Sequence, residues 1–99
     1  MTRQEALDAI YNYIFENGGR YSEWYIGVAS DPRERLFNNH SVVERTDHWI
    51  YRPCLNSIDA RDVEAYFVKL GAKGGTGGGD YNTTYVYAYK IASHTIETA

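Results

Sequence analysis

The hydrophobic period of this chain switches from helical to extended across a single glycine pair, and no other feature limits its fold more. Leu7, Ile10, Tyr11 and Ile14 recur at i, i+3, i+4 and i+7, the spacing of one helix face. Thr2 followed by Glu5 forms a capping-box pattern, and Gly18-Gly19 provides the stop, which predicts a helix over 2–16. Directly afterwards Trp24, Ile26 and Val28 alternate with Tyr25 and Gly27, so a strand is expected within 21–29. A chain that changes period so early must pack a helix against a sheet.

The rest of the sequence continues the pattern. Asp31, Pro32 and Glu34 give a capped helix start that should run to about Asn39. A second strand is expected over 49–54, with Pro53 marking its end or an edge position. Ser57 or Asp59 can cap a third helix over 60–70, whose apolar stripe is Ala60, Val63, Phe67 and Leu70 and whose stop is Gly71. Residues 84–91 are β-branched or aromatic at most positions and read as a strand. The tail after 93 is expected to fray. The expectation is one α+β domain spanning 1–99, with a small mixed or antiparallel three-stranded sheet flanked by about three helices.

Composition narrows the function classes. Ninety-nine residues suffice for one compact domain, and 43% hydrophobic with 23% charged residues is ordinary globular composition. Cys54 is the only cysteine, so no internal disulfide forms. The N-terminus has no basic-then-apolar leader pattern and no apolar run nears the ~20 residues of a membrane span, so a cytoplasmic protein with no membrane partner is expected. The formal charge of −3 argues against general phosphate neutralisation, leaving a local basic patch as the route to nucleic acid. Arg33, Arg35, Arg45, Arg52 and Lys73 are its candidates.

The chemistry-bearing segment is Tyr25-Ile26-Gly27-Val28-Ala29-Ser30-Asp31-Pro32-Arg33-Glu34-Arg35-Leu36. A strand, a short turn and a capped helix bring Arg35 back toward the end of the Tyr25 strand. A planar guanidinium there suits a phosphate or a developing oxyanion. Gly27 omits a side chain where another group or a substrate must come close. His40 stands where a helix ends, a position favourable to a cationic ring through the helix dipole. The 71–79 stretch is glycine-rich but lacks the strand before it, the terminal Gly-Lys-Ser/Thr and the helix after it that a P-loop needs, and reads as a plain loop.

These residues resemble the GIY-YIG nuclease family. Tyr25-Ile26-Gly27 is similar to its second signature tripeptide, Arg35 follows at a spacing similar to that of its catalytic arginine, and a histidine follows again. His40 lies five residues after Arg35, where the family more often has four. No Gly-Ile-Tyr precedes Tyr25. The resemblance implies a divalent-metal-dependent endonuclease that hydrolyses a phosphodiester of nucleic acid. It implies that Glu64 binds a single Mg²⁺ or Mn²⁺ and that Arg35 stabilises transition-state charge. It also implies that a tyrosine, with Tyr25 close by, positions or deprotonates the water, and that Asn82 completes the site. His40 is a further catalytic candidate beside its helix-end reading. Asn82 with Gly27, Arg33, Arg52 and Lys73 makes up the expected substrate-binding set. The alternative is a catalytically silent module of the same shape that binds protein or nucleic acid. For the missing tripeptide, strand 84–91 is expected to pair antiparallel with 24–29. Tyr85, Tyr87 and Tyr89 would then share the Tyr25 face and line a groove in which Tyr85 or Tyr87 orients the attacking water.

Overall fold

The structure, a computed structural model, describes residues 1–74 and 80–98, so most of the glycine-rich stretch lies outside the described residues. Helix α1 (Arg3–Asn17) carries the expected capping box: Glu5 N–H donates to Thr2 Oγ1 at 3.1 Å and Thr2 N–H to Glu5 Oε1 at 2.9 Å. It ends at Gly18, whose φ of 73° is the left-handed region that glycine enters without strain. Ala6, Ile10 and Ile14 are its buried line, and Tyr11 is exposed rather than part of the stripe.

Strand β1 (Trp24–Ala29) follows a single 3₁₀ turn at Tyr21–Glu23, which takes the first residues of the expected strand. β2 is Trp49–Pro53, α2 is Ser57–Lys69, β3 is the short Lys73–Gly74, and β4 is Tyr85–Lys90. The cap of α2 is Asn56, whose side chain accepts from Asp59 N–H at 2.8 Å, in place of the expected Ser57 or Asp59. An asparagine one residue before the first helical serine satisfies the orphan amide equally well.

Among the described residues the sheet has four strands in the order β2-β4-β1-β3, one more than expected. β4 pairs antiparallel with both β1 and β2, while β3 pairs parallel with β1 through Tyr25 and Lys73. Pro53 lies on an edge strand, where its missing N–H costs no ladder bond. On one face Trp24, Ile26, Ile50, Val86 and Ala88 pack beneath α1 and α2 with Ile10, Val63 and Phe67. On the other, Tyr25, Ala29, Tyr87 and Tyr89 pack with Leu36 and Val42. The sheet is thus the middle of three layers.

The C-terminal tail is hydrogen-bonded as far as Ile96. Ala92 N–H donates to Thr95 Oγ1 at 3.0 Å, Thr95 N–H to Ala92 O at 3.1 Å, and Ile96 N–H to His40 O at 2.8 Å. No described helix is long and apolar enough to cross a membrane.

Candidate functional site

The site begins with a register. β1 and β4 place Gly27 opposite Tyr87, with Tyr25 opposite Tyr89. Residue 27 has no side chain, and the Tyr87 ring occupies that space. A Cβ at Gly27 would lie 2.5 Å from both Cζ and Oη of Tyr87. Gly27 therefore accommodates a tyrosine of its own sheet rather than a substrate. The Tyr25 ring stacks on Tyr89, centroids 5.2 Å apart, and on Tyr87 at 6.3 Å.

The segment after β1 closes over this face. Asp31 caps it, accepting from Glu34 N–H at 3.2 Å, and residues Glu34–Asn39 form a π-helical turn. His40 N–H donates to Arg35 O at 2.8 Å, an i+5 bond. The wider turn has a direct consequence for spacing. A residue five positions on stands over Arg35 much as the fourth does in an α-helix, so the extra residue between Arg35 and His40 is absorbed. Ser41, at φ 59°, then reverses the chain, and Val42 N–H closes on Leu36 O at 3.0 Å. A non-glycine residue in that region costs about 1–2 kcal/mol, offset here by the turn it completes.

His40 is fully buried. Its Nε2 lies 2.7 Å from the Tyr87 hydroxyl and its Nδ1 2.6 Å from Ile96 O, with the Tyr89 hydroxyl 3.2 Å from Nδ1. Burial lowers the His40 pKa, the bond to Ile96 opposes that, and the Arg35 charge lowers it further, so the ring is neutral near pH 7. Arg35 hydrogen-bonds Tyr87, and its Nη1 donates to Asn39 Oδ1 at 3.3 Å. Burial first, and the neighbouring Tyr25 second, push the Tyr87 hydroxyl well above the usual tyrosine range. Tyr89 is pushed up for the same leading reason. Among the described residues no fully buried side-chain nitrogen or oxygen lacks a hydrogen-bond partner.

Two corrections follow. The expected tyrosine-lined groove is closed, because Leu36, His40 and the tail cover the Tyr25 face, and Tyr87 retains only 1% of its exposure. A hydroxyl sealed in this way holds neighbouring side chains and does not meet a bulk water. Tyr85 shares the face but points toward the β2 edge, where its ring meets Tyr51 at 6.0 Å. What opens to solvent is a recess of about 390 Å³ lined by Val28, Ala29, Ser30, Asp31, Glu34, Arg35 and Thr83. Its lining residues include Arg35 and the acidic Asp31 and Glu34.

Glu64 sits on the buried face of α2 beside Ala60, Val63 and Phe67, 8% exposed. It makes no hydrogen bond among the described residues. Desolvation raises its pKa, partly countered by Arg61, and its charge also raises that of Tyr87. A carboxylate set on this largely buried face can hold a cation. No group of three or more His, Cys, Asp or Glu side chains is gathered among the described residues. Such a site suits an ion whose other positions are water and phosphate oxygen.

The expected substrate-binding set does not gather. Arg33 pairs with Glu44 at 2.8 Å and lies over the Phe37 ring, and the Arg52 guanidinium donates to Tyr51 O at 2.8 Å. Lys73 is exposed on β3, and Asn82 is exposed in the turn where its N–H donates to Asp80 Oδ1 at 2.9 Å. Tyr25, Arg35, His40 and Tyr87 do converge. Alternation put Tyr89 on this face, but sequence reasoning missed Ile96, which comes from a tail with no periodic signal. Comparison of the chain with known protein families, with curated proteins and with solved structures finds no match.

Proposed function

We propose that the chain is a divalent-metal-dependent nuclease that hydrolyses a phosphodiester of nucleic acid, with Arg35 as the side chain that meets the phosphate. The observation that carries this reading is the way Arg35 is held. Arg35 lines the open recess, and its side chain is hydrogen-bonded to Asn39 and to Tyr87, whose hydroxyl also meets buried His40. A cation fixed before the substrate arrives loses little freedom on binding and can stabilise charge that develops in the transition state. Glu64 would hold Mg²⁺ or Mn²⁺, which would supply Lewis-acid polarisation of the phosphate. In this reading Tyr87 and His40 are positioning residues.

The burial of Tyr25, Tyr87 and Tyr89 favours a second reading, a catalytically silent binding module. A Mn²⁺ titration separates the two. In the nuclease, wild type binds Mn²⁺ and cleaves oligonucleotides only with metal, and Glu64→Ala loses both. A silent module cleaves nothing at any metal concentration. Unchanged cleavage by Glu64→Ala would remove the metal assignment.

A further inference from the structure

The tail supplies the most specific contact in the buried cluster. Ile96 is joined to His40 twice: its N–H donates to His40 O at 2.8 Å, and its carbonyl lies 2.6 Å from His40 Nδ1. A carbonyl oxygen only accepts, so Nδ1 must carry the hydrogen. The buried, neutral ring then has a bare Nε2, and across 2.7 Å the Tyr87 hydroxyl must be the donor. With its hydrogen committed to His40, the Tyr87 oxygen turns its lone pairs to Arg35, which only donates.

We propose that the Ile96 carbonyl is the positioning group that selects the Nδ1–H tautomer of His40 and so orients the Tyr87 hydroxyl that holds Arg35. The opposite tautomer would put a hydrogen on Nε2, make Tyr87 the acceptor there and turn its own hydrogen toward the guanidinium. The tail is built to keep the carbonyl in place. Ile91 N–H donates to Glu23 O at 2.8 Å, Thr95 closes the turn on Ala92, and His94 Nε2 lies 2.6 Å from Asp47 Oδ2. Only the final step, from Arg35 to a phosphate, rests on the proposed nuclease reading.

The test is nitrogen-15 NMR of the His40 imidazole in the full chain near neutral pH. Wild type should show a protonated Nδ1 and an unprotonated Nε2. Tyr87→Phe should keep that tautomer, because Ile96 selects it. Thr95→Ala, which loosens the turn, should partly lose the Nδ1–H signal, and a chain ended after Ser93 should lose it. If the shortened chain fails to fold, wild type, Tyr87→Phe and Thr95→Ala decide. A wild-type Nε2–H tautomer, a Tyr87→Phe protein that switches tautomer, or a folded shortened chain that keeps the Nδ1–H form would each overturn the proposal. Cleavage by the same variants is a separate readout. Loss of the tautomer without any nuclease activity in wild type would contradict the function and leave the tail's role standing.

Discussion

The two faces of the sheet are built on opposite principles. Under α1 and α2 the contacts are apolar: Trp24, Ile26, Val86 and Ala88 meet Ile10, Val63 and Phe67, and stability comes from area removed from water. The other face is a layer of tyrosine rings around a buried histidine, covered by a π-helical turn and a tail, and its polar atoms are satisfied by one another. An apolar layer tolerates a change of shape if volume is kept. A buried polar network tolerates far less, since one missing partner strands the rest. The first face carries the apolar core, and the second meets Arg35 through Tyr87.

That contrast is sharpest under substitution. Trp24→Ala should be the largest loss, about 3–5 kcal/mol by urea unfolding, because a fully buried ring leaves a cavity beneath the helices. A loss below about 1 kcal/mol would mean that the helical face does not dominate stability. Tyr87→Phe changes hardly any volume, yet it should cost about 1–3 kcal/mol by leaving His40 Nε2 without its donor. A neutral result would remove the distinction between the faces. Gly27→Ala should cost about 1–3 kcal/mol, since its Cβ collides with the Tyr87 ring. The same change should alter the near-ultraviolet tyrosine signal, which a generic loss of backbone freedom would leave alone.

Glu64 gives the smallest effect and the reverse sign. Its folded pKa is raised, so the folded state binds more protons than the unfolded state above the ordinary glutamate pKa of about 4.3. Stability therefore falls as pH rises from that value through the folded pKa. Glu64→Gln should be slightly more stable than wild type at neutral pH, and the advantage should vanish below about pH 4. A destabilised Glu64→Gln at pH 7 would show that the carboxylate has a stabilising partner.

How much of this could be read from residues alone depends on where each signal lies. The caps at Thr2 and Asp31, the strand periods and the antiparallel pairing of β4 with β1 are local or period-2 signals and are found in the structure, whereas the cap of α2 falls on Asn56, one residue before the expected Ser57. The shared face of Tyr25, Tyr87 and Tyr89 follows from the same alternation. The π-helical turn was not legible, because Arg35 to His40 carries the residues of an ordinary helix end and only packing on the tyrosine face selects i+5 bonds. β3 has two residues, too few for any period. The tail seemed free because its anchors, His40, Asp47 and Glu23, are distant in sequence.

Cleavage of labelled single-stranded and duplex oligonucleotides in Mn²⁺, comparing wild type with Arg35→Ala at matched folded fraction, tests the role of Arg35 most directly. The expected result is metal-dependent cleavage by wild type that EDTA abolishes and that Arg35→Ala reduces on the order of 10²–10³-fold. Equal cleavage by a folded Arg35→Ala protein, or none by wild type on either substrate, would contradict it.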